Sequence, residues 1–238
     1  MKNLVIMSAM ALMAINANAE KVKFEISGVV ADSIKEVVVI VNNDKNSSQK
    51  VPVANGRFNA VGEAEKNDLL NVGHEINRGF NSLVAINDGQ PIKMNFVENT
   101  VSGSSENSAL GNQIKANAAD EGRMAVLIKE YRELSKQNTA EADARIKEIM
   151  AEANAIEEKN MKASIEYIKA HKGDVTPVAF IQNVMYELSY NELAEIINPD
   201  VAYFNHPMVA KAKRIMDGLK KRMPGAMFTD LVMNDTEG

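Results

Sequence analysis

From Glu20 onward the spacing of apolar residues obeys first one period and then another. Val22-Lys23-Phe24-Glu25-Ile26 alternates apolar and polar, which predicts a strand with one buried face. Glu36 to Val41 (EVVVIV) is a β-branched run and predicts a strand covered on both faces. Leu69 to Ile76, Leu83 to Ile86 and Ile92 to Val97 are further strand candidates. Asn55-Gly56, between Val51-Pro52-Val53 and Arg57-Phe58, supplies the positive φ angles of a tight hairpin. Asp88-Gly89 predicts a second hairpin turn leading into Ile92. Short strands with frequent turns predict a small antiparallel β-sandwich over residues 20–104.

Near residue 104 the period changes to three and four. Leu110, Ile114, Met124, Leu127, Ile128, Tyr131 and Leu134 fall on one face of a helix over Asn107–Ser135 that Gly111 and Gly122 weaken. Thr139 is placed to cap a second long helix carrying Ile146, Ile149, Ala153 and Ile156, and Gly173 fits a C-terminal cap with positive φ. The two predict a helical hairpin. Thr176-Pro177 reads as a cap followed by proline at the first helical position, opening Val178–Leu188. Tyr190–Ile197 follows, ended by Asn198-Pro199, and His206-Pro207 opens a helix running to about Arg222. The fold class is therefore α+β: a β-sandwich, then an α-helical region over residues 105–223 with a long hairpin.

Residues 1–19 follow a different pattern. Lys2, the apolar run Leu4–Ile15 and the small-x-small site Ala17-Asn18-Ala19 form the order of a cleavable secretory signal, with cleavage after Ala19. The run is short of the ~20 residues needed to span a bilayer. This predicts a periplasmic protein with no stable membrane anchor after cleavage. Asn46-Ser47-Ser48 matches a glycosylation acceptor, which matters only in a eukaryotic secretory pathway.

Composition removes several kinds of chemistry. The chain has no cysteine, so it performs no thiol chemistry and relies on its core for stability. Its net charge of −5 gives no general field to attract nucleic acid. It lacks tryptophan, which disfavours a sugar groove of stacked rings. His74, His171 and His206 have no second histidine or carboxylate at metal-motif spacing. Gly103-Ser104-Ser105 departs from a nucleophile elbow, and no phosphate-binding glycine loop occurs. No catalytic, cofactor-binding or metal-ligating residue is assigned. Lys211, Lys213, Arg214, Lys220, Lys221 and Arg222 make a basic helix end, read either as dipole stabilisation or as a partner-docking patch.

The tail, Pro224-Gly225-Ala226-Met227-Phe228-Thr229-Asp230-Leu231-Val232-Met233-Asn234-Asp235-Thr236-Glu237-Gly238, resembles the opening of a TlpA-like thioredoxin domain of the AhpC/TSA type. Gly225, Phe228, Asp230 and the turn Asp235–Gly238 carry the likeness. Upstream, Val53-Ala54-Asn55-Gly56-Arg57-Phe58 and Val101-Ser102-Gly103-Ser104 with Asn107 are similar to the N-terminal domain of unknown function and helical link fused ahead of such domains. The resemblance implies an exported thiol–disulfide oxidoreductase of a Gram-negative bacterium. Its redox cysteines match no position here, so no catalytic residue is carried over. Residues 224–238 are then the start of a redox domain, in a truncated or a naturally short form, and Phe228–Met233 is expected to be mobile or to pair with the body.

The leading expectation is a non-catalytic accessory module that positions, dimerises or recruits clients for a thioredoxin-like oxidoreductase. Its partner would be another protein or itself, bound through the helical region. Two alternatives stand beside it: an exported small-ligand or glycan binding protein, and a hydrolase with a scattered site.

Overall fold

The computed structural model describes residues 20–76 and 79–224, without the side chains of 76–80. The signal-peptide reading of residues 1–19, and the strand-and-turn reading of residues 225–238, lie outside the described residues.

Among the described residues, eight strands form two four-stranded sheets. They are β1 (Lys21–Val29), β2 (Glu36–Val41), β3 (Gln49–Pro52), β4 (Arg57–Glu65), β5 (Leu69–Ile76), β6 (Gly79–Ile86), β7 (Ile92–Asn95) and β8 (Thr100–Ser102). One sheet runs β4-β1-β7-β8 and the other β3-β2-β5-β6. The second is antiparallel throughout. The first is mixed, because β1 and β7 pair in parallel from Ile26↔Ile92 to Val29↔Asn95. The expected sandwich is present, but its antiparallel pattern holds for one sheet only.

Asn55-Gly56 keeps the local geometry of a tight turn, whereas Asp88-Gly89 is a bend with positive φ at Gly89 alone, and neither closes a hairpin. Asn55 and Gly56 have φ of 51° and 69°, and Ala54 and Arg57 exchange two backbone hydrogen bonds of 2.9 and 3.0 Å. Yet β3 pairs with β2 while β4 pairs with β1, so the turn carries the chain from one sheet to the other. Gly89, at φ 81°, lies likewise between β6 and β7, which belong to opposite sheets. The turns are corners of the sandwich rather than hairpins within a sheet.

The interior is apolar. Phe24, Ile26, Phe58, Ile92 and Met94 of the first sheet pack with Val37, Val39, Leu70, Val72 and Leu83 of the second. β2 was expected to be covered on both faces. Val37 and Val39 are buried, but Val38 and Ile40 on its other face are half-exposed. The helices cover that outer face at the β5–β6 side, where Leu69, Val84 and Ile86 join the helical core.

Five helices follow among the described residues: α1 (Ser105–Leu134), α2 (Ala140–Ala170), α3 (Val178–Val184), α4 (Tyr190–Ile196) and α5 (Ala210–Lys220). Ser104 caps α1 by accepting from Asn107 N at 3.1 Å, and Thr139 caps α2 by accepting from Ala142 N at 3.1 Å. At Gly111 α1 presses on β8 so closely that a Cβ there would lie 2.0 Å from Val101 O. This glycine is the contact point between helix and sheet, while Gly122 has open space around it. Ile114 packs against both the sandwich core and the helical core.

Two cap expectations fail. α2 ends at Ala170 with His171 as its cap, and Gly173 does not have positive φ. Thr176 does not cap α3, which has Pro177 at its N-cap and ends at Val184 rather than Leu188. The Thr176 hydroxyl is instead committed to Asp174. A short 3₁₀ turn over Pro207–Val209, opened by His206, precedes α5.

Candidate functional site

α1 and α2 pair antiparallel as a two-helix arm, each about 45 Å long at 1.5 Å per residue. Its seam carries Asp120, Arg123, Leu127, Glu130 and Leu134 on α1, and Ala142, Arg145, Ile149, Glu152, Ile156 and Lys159 on α2. Steps of three and four keep each set on one stripe. Leu127, Ala142 and Ile149 are buried. Arg123 grips Glu152 through two hydrogen bonds of 2.5 and 2.7 Å, and Arg145 grips Glu130 at 2.7 and 3.1 Å. Lys159 lies 2.7 Å from Asp120. The guanidinium partners hold the Glu130 and Glu152 carboxyls below their ordinary range. These pairs are half-exposed and set register more than stability.

A cleft of about 560 Å³ opens where α3 meets the base of the arm. Ile114, Met161 and Phe180 supply apolar lining, while Glu121, Glu157, Glu158 and Glu187 make it acidic. No lysine or arginine lines it. Asn160 also lines it, with its Oδ1 buried and lacking a hydrogen-bond partner. Desolvation raises the Glu121 carboxyl above its ordinary value, although much of the residue still reaches solvent.

Beyond the cleft, the same side of the arm turns apolar. Met124, Ile128 and Tyr131 follow one another at steps of four and three on α1, and Ile146 and Met150 at a step of four on α2. Glu121 lies seven residues before Ile128, and Glu157 seven after Met150, so the rows that line the cleft continue into this patch. Ile128, Tyr131 and Met150 are 43%, 43% and 53% exposed. Met124 and Ile146 are half-buried.

The three histidines occupy separate places. His74 is buried on β5 with its ring 5.4 Å from that of Phe96. His206 Nδ1 accepts from Met208 N at 3.2 Å, and its Nε2 lies 3.1 Å from Asn67 O. The ring is thereby neutral with its proton on Nε2, and burial lowers its pKa. His171 stacks on Tyr167 at 4.1 Å between ring centres, and its Nδ1 lies 2.8 Å from Asp174 Oδ2. This is a histidine–carboxylate pair with a hydroxyl nearby, but the order is wrong for nucleophilic catalysis. Tyr167 OH donates to Thr176 Oγ1 at 2.9 Å, and Thr176 Oγ1 donates to Asp174 Oδ1 at 2.5 Å. The carboxylate stands between hydroxyl and imidazole, so the imidazole does not face the hydroxyl as the base of a nucleophilic triad does. Burial pushes Tyr167 up to about 12, so it holds its proton and acts as a donor.

Among the described residues, no group of three or more histidine, aspartate or glutamate side chains is placed to hold a metal ion. No helix among them is long and apolar enough to cross a membrane. Of the basic helix end, Lys213 Nζ sits 3.3 Å from the centre of the Phe204 ring and Lys211 Nζ 5.1 Å from that of Tyr186. Two of the six cations in the sequence's docking patch therefore engage the protein's own aromatics. Sequence reasoning missed the ion-paired seam and the cleft. The seam was detectable as opposite charges at matching heptad positions on the two helices. The cleft depends on where α3 lands, which no local pattern reports.

The fold and site define an α+β protein: a mixed β-sandwich bearing a helical layer and an ion-paired two-helix arm. No family model matches the chain, and no curated protein or solved structure matches it.

Proposed function

We propose that the chain is an exported, non-catalytic accessory module that presents its helical arm to a protein partner and so positions, dimerises or recruits clients for a thioredoxin-like oxidoreductase. The observation that carries this reading is the arm itself. Ile128, Tyr131 and Met150 are held exposed on one side of a hairpin whose opposite charges are spent internally. Large apolar side chains grouped on a soluble surface favour protein contact. The redox association and the periplasmic location rest on the tail and signal resemblances.

Fractionation of the native host followed by intact mass tests it. The expected product is periplasmic, starts at Glu20, and carries a thioredoxin-like domain in the same chain or cross-linked to it. A cytoplasmic product retaining residues 1–19, or one with no thioredoxin-like domain attached or cross-linked, would overturn the reading.

The acidic cleft favours a second reading, an exported protein that binds a small cationic ligand. Its volume suits a small molecule, and its lining offers carboxylates and amides but no cation. A thermal-shift series with di- and polyamines tests this, since a ligand of the folded state raises the melting temperature. No shift with any amine would remove it.

A further inference from the structure

We infer that the partner of the arm is a second copy of this chain, docked so that α1 of one copy runs antiparallel to α1 of the other across the Met124–Ile128–Tyr131 stripe. The inference rests on the accessory-module reading and names its partner. Two observations carry it: the apolar stripe and the charges at its two ends.

On the cleft side of the stripe stands Glu121, roughly 10 Å from Ile128 along the helix axis. On the tip side stands Arg132, roughly 6 Å from Ile128. Arg132 is one turn beyond Ile128, and Lys136 comes in the turn just after α1 ends at Leu134. None of the three forms an ion pair among the described residues, whereas the charges along the seam are paired. The stripe is thus acidic at one end and basic at the other. A two-fold axis through Ile128 brings each acidic end against the other copy's basic end, a self-complementary contact. A parallel arrangement would set like charges together. Two hairpins so packed make a four-helix bundle, in which the apolar flank that a lone hairpin leaves in water becomes interior. Ile128 lies beside the axis and meets its own copy.

Sedimentation equilibrium of the full chain over a wide concentration range tests the proposal. A reversible dimer is expected. Ile128→Asp is expected to give a monomer with unchanged circular dichroism. Glu121→Lys should weaken the dimer at least tenfold, and Glu121→Lys combined with Arg132→Glu and Lys136→Glu should restore it, because the charge pattern is reversed and not removed. The chain has no cysteine, so Ile128→Cys offers a direct readout: mild oxidation should yield a disulfide-linked dimer. A monomer at every concentration overturns the inference. So does a dimer indifferent to Ile128→Asp and to charge reversal. A monomer that still cross-links a different protein through Ile128 overturns the inference but leaves the accessory reading standing; a monomer that cross-links nothing removes both.

Discussion

Asn107 hydrogen-bonds both backbone groups of Ile86: its Oδ1 accepts from Ile86 N at 2.8 Å and its Nδ2 donates to Ile86 O at 2.9 Å. A side-chain amide from the first turn of α1 takes the place of a neighbouring strand at the end of β6. Both groups are buried, so the pair fixes where the helical region meets the sandwich. Asn107→Ala leaves a buried donor and a buried acceptor without partners. It is expected to cost about 2–4 kcal/mol, read as a lower urea midpoint. Asn107→Asp keeps the acceptor but sets a second carboxylate near Asp88, which Asn107 Nδ2 reaches at 3.4 Å, and should also destabilise. An Asn107→Ala midpoint equal to the parent's would show that water replaces the amide there.

Gly111 and Gly122 make a matched test on one helix. Alanine is favoured over glycine in a helix interior, so Gly122→Ala, which meets open space, should stabilise by about 0.5–1 kcal/mol. Gly111→Ala drives its Cβ into the Val101 carbonyl and should destabilise by about 1–3 kcal/mol despite the same gain in propensity. Equal effects at the two positions would mean that α1 does not bear on β8.

His206 ties the helical region to the turn between β4 and β5, and its neutral ring makes that tie pH-dependent. Burial lowers its pKa in the folded protein below the unfolded value near 6.5. Its contribution is therefore fully present above about pH 6.5 and is lost as pH falls through the lower folded value, because protonating Nδ1 removes the acceptor for Met208 N. Asp68 and Glu65 act the other way and moderate the shift. Urea unfolding of the parent and of His206→Gln, which cannot titrate, should diverge between pH 7.5 and 5, with the parent losing more. Parallel pH profiles would rule the linkage out. Burial raises Glu106 and Glu121, so their contributions are present at low pH and weaken as pH rises through their folded values; both are common to the two proteins and cancel.

Asp174 gathers the chain after α2. It accepts from Thr176 N at 2.9 Å and from the Thr176 hydroxyl, and it faces His171 Nδ1. Asp174→Ala should cost about 2 kcal/mol by leaving buried Thr176 without its acceptor. Part of that loss is offset, because the Asp174 charge also raises Glu106. His171→Ala should cost less, since it leaves the Thr176 bonds in place. A larger loss for His171→Ala would place the weight of this cluster on the Tyr167–His171 stack.

The change from a period of two to a period of three and four was decided by the amino-acid sequence alone. Backbone geometry allows one pattern to bury a strand face and the other a helix face. The α+β class, the helical hairpin and the Thr139 cap follow from it, and so does the bend of the chain at Asn55-Gly56, where positive φ is a local matter. Only the tertiary structure decided which strands pair. The Asn55-Gly56 and Asp88-Gly89 turns have hairpin chemistry, yet each joins strands of opposite sheets, because partner choice is made by burial across the sandwich. Thr176 and Gly173 show the same limit. A capping propensity is worth about 1 kcal/mol, and hydrogen bonding to Asp174 in a buried cluster displaced it. The acidic cleft and the exposed Ile128 flank were out of reach of the sequence for the same reason: both depend on how elements distant along the chain come to lie side by side.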